Sequence, residues 1–237
     1  MIKLLSLALL VIPGLHALQK HEARDIAQQV IQQAVQELFD GITENNLDKI
    51  RLALDLGASP NEDVTWQAQL PSTNTITTFH KTPLTLAIQS KDAFNIATLL
   101  LKYDANVNKQ DGQGNLPLHL AIFLNRPELV DLFIANNADI NLKDRNYQNP
   151  LHIAIEVGNK QIIEKLLSHG ANPNAFMAPH LKTPLQEAIF RKKTEIVKLF
   201  LTYGANTIGA YHYALQYCTP EIAELIRKHE ETLKEQK

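Results

Sequence analysis

The sequence predicts an all-α solenoid of stacked helix-turn-helix units, closed by a capping repeat at each end, and three observations predict it. Pro83, Pro117, Pro150 and Pro184 recur at separations of 34, 33 and 34 residues, each followed by Leu and, three residues after that Leu, by Ala-Ile. A second landmark keeps the same period: Asp104-Ala105-Asn106, Asn137-Ala138-Asp139, Gly170-Ala171-Asn172 and Gly204-Ala205-Asn206. Between the two landmarks lies an apolar stripe at helical spacing: Ile96 with Leu100 and Leu101, Leu129 and Val130 with Phe133 and Ile134. Ile162 and Ile163 with Leu166 and Leu167, then Ile196 and Val197 with Phe200 and Leu201, continue it. One such helix pair cannot bury both of its faces alone, so neighbouring units must stack.

Taken from the N-terminus, the first segment reads as an address. Lys3, the apolar run Leu4–Ile12, Pro13-Gly14 and the small residue Ala17 have the layout of a secretory signal peptide over residues 1–17, with cleavage after Ala17. The run is too short to cross a bilayer, which needs about 20 apolar residues. The expected product is an exported chain with no stable membrane insertion once the signal is removed. Residues 18–36 read as an N-terminal helical extension, because Ile26, Val30, Ala34 and Leu38 recur every four residues beneath a glutamine-rich outer face.

The repeat domain is expected over residues 37–230. Its first unit keeps the second-helix pattern in Leu47–Leu54 and Gly57-Ala58-Ser59-Pro60-Asn61 but lacks the proline motif, as an N-terminal cap would. The segment from Asn61 to Pro83 then spans 22 residues where the next, from Asn108 to Pro117, spans 9, so a long insertion sits at about 62–81. Long loops in compact domains are usually functional or mobile. In the units that follow, proline occupies the first helical turn, where its missing N–H costs nothing. Thr82, Asn149 and Thr183 stand before it as N-caps, whereas Leu116 cannot serve. At the far end Ala205-Asn206-Thr207-Ile208 runs almost directly into Tyr211–Leu215, so the last extended segment is missing. Thr219-Pro220 opens a closing helix, and residues 231–237 form a polar tail.

The motifs Thr82-Pro83-Leu84, Leu116-Pro117-Leu118-His119, Asn149-Pro150-Leu151-His152 and Thr183-Pro184-Leu185, with the Gly-Ala-Asn endings, resemble the ankyrin repeat family over about residues 37–230. The resemblance implies an ankyrin-repeat solenoid whose helices carry hairpin-like fingers at an angle. It also implies a protein-protein interaction module in which the finger tips and the exposed side of the first helices line a concave groove. His119 and His152 would then hydrogen-bond within and between turns. This chain departs from the family at the turn joining the two helices, where glycine is usual. Only Gly158 supplies it, with Asn125 as a substitute and Lys91 and Lys192 at the other equivalent sites.

Composition narrows the chemistry. Lys and Arg total 23 against 25 for Asp and Glu, a net charge of −2 that offers no attraction to nucleic acid. A lone Cys218 allows neither an internal disulfide nor a multi-cysteine zinc site. No HExxH, P-loop, GxGxxG or GxSxG motif is present, and the histidines show no ligand spacing. No metal, cofactor or catalytic residue is therefore expected, and the chain reads as a monomeric binding module for another protein. Asp111 and Asp144 recur at one finger position and read as turn caps rather than an acid–base pair.

The expected binding residues are Trp66 and Phe79 in the insertion, Tyr147, Phe176 and Met177 in later fingers, and Phe123, Leu124, Val157, Phe190 and Arg191 on first helices. Exposed apolar residues on one edge fit an interaction strip. The same aromatics could instead pack inward, Trp66 pinning the insertion to the first repeats. Two other classes stay open: an exported enzyme or enzyme inhibitor with its site in the insertion, where Asp63 and His80 would have to meet, and a structural spacer.

Overall fold

The computed structural model describes residues 20–69, 76–176, 182–217 and 219–235 of the 237-residue chain. The expected leader 1–17, Met177 and Cys218 lie outside the described residues. The chain divides into two compact units, one running to Pro117 and the other from Leu118.

The first unit holds two helix pairs: α1 (Lys20–Glu44) with α2 (Leu47–Asp55), and α3 (Pro83–Ala87) with α4 (Ala93–Lys102). α1 stacks on α3 and α2 on α4, which is the sideways stacking the apolar stripes predict. The stripe of α1 is buried through Ala34, Leu38 and Ile42, and meets Ile50, Ala53 and Leu54 of α2. The approach of these two helices is close at Gly41, where a Cβ would lie 2.9 Å from Ile50 Cγ1 and 3.0 Å from Ile50 N. Local signals act as read: Asn46 Oδ1 accepts from Lys49 N–H at 3.0 Å, and Thr82 Oγ1 accepts from Thr85 N–H at 3.1 Å. An asparagine fastens one repeat to the next, Asn61 Nδ2 donating to Asp104 O at 2.9 Å while its Oδ1 accepts from Asn106 N–H at 2.6 Å.

The insertion is not a plain loop. Val64–Gln69 (β1) and Ile76–Lys81 (β2) form an antiparallel hairpin in which Val64 faces Lys81, Trp66 faces Phe79 and Gln69 faces Ile76. Strands were not expected in an all-α reading. The alternation Val64-Thr65-Trp66 is too short to stand out, and the pairing that makes it a strand is non-local.

The second unit begins within α5 (Pro117–Phe123) and continues through α6 (Pro127–Ala135), α7 (Pro150–Val157), α8 (Lys160–Ser168), α9 (Pro184–Phe190), α10 (Thr194–Thr202), α11 (Ala210–Gln216) and α12 (Pro220–Glu235). First helices stack in the order α7, α9, α11, and second helices in the order α6, α8, α10, α12. The core follows the two stripes: Leu151, Ala154 and Ile155 of α7, for example, are fully buried beside Ile162, Ile163 and Leu166 of α8. Asparagine brackets recur, with Asn141 Nδ2 donating to Gly170 O at 3.3 Å and Asn141 Oδ1 accepting from Asn172 N–H at 3.2 Å. The turns between paired helices pass through the left-handed region at Asn125 (φ 54°), Gly158 (φ 80°) and Lys192 (φ 56°). Lys192 therefore carries the strain its departure from glycine implies, whereas Lys91 escapes it in a longer turn. Among the described residues no helix is long and apolar enough to cross a membrane.

Candidate interaction surface

The surface arises from where each first helix runs out of core. In α5, α7 and α9 the Leu after proline and the following Ala-Ile pair are buried: Leu118, Ala121 and Ile122, then Leu151, Ala154 and Ile155, then Leu185, Ala188 and Ile189. The two residues after each pair turn outward. They are Phe123 and Leu124, Glu156 and Val157, and Phe190 and Arg191, all exposed. In the first unit the corresponding positions hold Gln89 and Ser90, both polar. Four of the six outward positions in the second unit are thus apolar where an idle surface would be polar.

The strip has an electrostatic frame. Arg191 Nε donates to Glu187 Oε1 at 2.6 Å, and its Nη2 lies 3.8 Å from Glu156 Oε1, joining two successive repeats. Lys182 Nζ stands 3.6 Å from Glu187 Oε2 and 3.9 Å from the centre of the Phe190 ring. Tyr217 meets the same ring edge-on at 5.2 Å. Phe190, 45% exposed, is therefore held in place, whereas Phe123, 67% exposed, stands clear. Sequence reading missed Glu187. The available signal was a carboxylate at a position that holds Leu86, Leu120 and Ile153 in the other repeats. Its burial is tolerated because both neighbouring cations neutralise it.

Tyr147 is presented by the finger between α6 and α7 and is 67% exposed. Asp144 builds that turn, its Oδ1 accepting from Asn146 N–H at 2.8 Å and from Gln148 N–H at 2.9 Å. Asp111 does the same for Gln113 and Asn115 at 3.0 and 2.8 Å. Both aspartates are turn caps. His119 Nε2 donates to Gln148 O at 3.0 Å and His152 Nε2 to Ala175 O at 3.4 Å. Burial holds both imidazoles below the ordinary histidine pKa, the carbonyl hydrogen bonds opposing it, so both stay neutral donors at pH 7. Phe176 is also exposed, in the finger before α9.

Trp66 and Phe79 are placed differently. Trp66 is half-buried between Phe39 of α1 and Phe79, with ring centres 5.2 Å away on each side. The pair pins the hairpin to α1. Asp63 and His80 do not meet in an acid–base pair. Asp63 Oδ2 accepts from Gly112 N–H at 2.7 Å, Asp63 Oδ1 faces Lys109 Nζ at 3.9 Å, and His80 is exposed. Among the described residues no group of three or more His, Cys, Asp or Glu side chains is gathered as metal ligands.

A family model described as ankyrin repeats (3 copies) matches residues 33–144, 98–177 and 118–210. The comparison with curated proteins returns no match.

Proposed function

We propose, for a chain that belongs to the ankyrin repeat family, that it captures another protein on the strip formed by the outward ends of α5, α7 and α9, with Tyr147 as a further anchor. Ankyrin repeats generally serve as protein-protein interaction modules rather than enzymes. The observation that carries the reading to these residues is the in-register exposure of Phe123, Leu124, Val157 and Phe190 at positions that are polar in the first unit. Exposed apolar patches of this kind mark interaction sites, and aromatic anchors dominate their energetics. The Glu156–Arg191–Glu187 network at the rim would fix the partner's register more than its affinity. The engagement of Asp63 with Gly112 supports a binding module over a catalyst in the hairpin. From the layout of residues 1–17 we also infer that capture follows export, and the N-terminal residue of the mature protein tests it.

The strip is tested by affinity capture with the mature chain and with the double variant Phe123→Ser/Phe190→Ser. A protein retained by the first and lost from the second, with both chains folded, is the expected result. Equal retention would move the binding face elsewhere.

A further inference from the structure

One position in each repeat binds the finger of the next. Thr85 Oγ1 donates to Asp111 Oδ2 at 3.1 Å, His119 Nε2 to Gln148 O at 3.0 Å and His152 Nε2 to Ala175 O at 3.4 Å. The fourth member of the series is Gln186. Its Oε1 accepts from Thr183 N–H at 2.9 Å and closes the capping box of α9, but no finger follows it, and its Nε2 has no hydrogen-bond partner among the described residues. Gln186 lines an open cleft of about 330 Å³ with Asn174, Phe176, Thr183, Asn206, Ile208 and Ala210, and no lining residue is charged.

A second series ends at the same place. Asn61, Asn108, Asn141 and Asn174 stand two residues beyond the last residue of the Ala-Asn type landmark; Asn61 Oδ1 accepts from Asn106 N–H, Asn141 Oδ1 from Asn172 N–H and Asn174 Oδ1 from Asn206 N–H, each on the backbone of the next repeat. The fifth member is Ile208, and it is 85% exposed. At this fifth place the polar bracket is replaced by an exposed apolar side chain. Solvent exposure alone gives no reason for that exchange; an apolar contact with another molecule does.

We infer that this open flank takes an extended segment of a partner protein in the place a fifth finger would occupy. A backbone carbonyl of the segment accepts from Gln186 Nε2, as Gln148 O and Ala175 O accept from the two histidines, and an apolar side chain covers Ile208 and Phe176. The uncharged lining suits a peptide backbone rather than an ion. A second copy of this chain is the less fitting occupant, since docking this flank onto a different surface of the next copy is heterologous and builds a ring or an open filament rather than a two-fold pair. The site is distinct from the strip proposed above, and neither depends on the other.

The test uses the full mature chain, ¹⁵N-labelled, and an acetylated, amidated hexapeptide with the sequence of residues 171–176, the finger that already serves His152. Expected are saturable shifts of the Gln186 side-chain amide and of the Ile208 and Ala210 resonances. Gln186→Glu keeps the capping acceptor and removes the donor, so it should fold as the parent does while binding at least about tenfold more weakly. Ile208→Ser should weaken binding in the same direction. Shifts centred on Phe123 and Val157, no saturation at millimolar peptide, or binding indifferent to Gln186→Glu would each overturn the inference. Movement of the same resonances with protein concentration alone, with assembly in sedimentation, would give the flank to a second copy and overturn it equally.

Discussion

Tyr147 occupies, at φ 60°, the place in its finger that Gly114 occupies, at φ 86°, in the finger before it. The turns are otherwise alike: Gly114 N–H donates to Asp111 O at 2.8 Å and Tyr147 N–H to Asp144 O at 3.0 Å. A left-handed backbone costs a bulky residue about 1–2 kcal/mol, and nothing in the turn requires a ring. The side chain is also exposed, so burial does not offset that cost. Tyr147→Gly should therefore leave the unfolding free energy unchanged or raise it by up to about 1 kcal/mol, part of the relief being lost to glycine's unfolded-state entropy. Capture of the partner should weaken. Urea unfolding and binding measured on the same preparation check both halves, and a drop in stability would make Tyr147 a structural residue.

His119 and His152 make stability depend on pH. Both are held below their ordinary pKa by burial, so the unfolded chain takes up protons near pH ~6.5 before the folded chain does. Their contribution is complete above ~6.5 and is lost as the pH falls through the folded values. The urea midpoint should be lower at about pH 5.5 than at about pH 7.5. Gln186 shows that glutamine can cap α9 from the same position, so His119→Gln/His152→Gln should fold and show a flatter profile over that window. An unchanged slope would assign the pH dependence to the carboxylates.

Gly41 tests the packing of α1 on α2. A methyl group there meets Ile50 Cγ1 at 2.9 Å and Ile50 N at 3.0 Å, and the second of these is backbone that cannot rotate away. Gly41→Ala should cost roughly 1–3 kcal/mol by overpacking, although alanine is the better helix former. Trp66, the single tryptophan, reports this unit by fluorescence. Loss of its signal before the far-UV helix signal would show the first unit unfolding ahead of the second.

The features legible in the sequence are those with local causes. The prolines mark helix starts because a first-turn position does not need an N–H, and Thr82, Asn149 and Thr183 cap where their side chains predict. Asp111 and Asp144 were readable as turn caps for the same reason. The exposed ends of α5, α7 and α9 follow from the same register. What lay hidden depends on distant partners. The fate of Trp66 turns on Phe39, 27 residues earlier, and on a strand pairing that spans the insertion. The role of Glu187 turns on Lys182 and Arg191 meeting beside a buried position.

Phe123 and Phe190 hold the same position in their repeats and should respond differently to removal. Phe123 stands clear, so Phe123→Ser should change stability by less than about 0.5 kcal/mol. Phe190 loses more: an edge-on contact with Tyr217 and the ammonium of Lys182 over its face, together worth about 1–2 kcal/mol for a partly exposed ring. Removing that ring also frees Lys182, whose remaining partner is the buried carboxylate of Glu187. If both rings contact the partner, each single variant should weaken binding while only Phe190→Ser lowers the unfolding midpoint. Thermal unfolding beside a binding isotherm separates the two effects. Parallel loss of stability in both variants would mean that Phe123, too, is held by the fold, and the strip would lose its freest anchor.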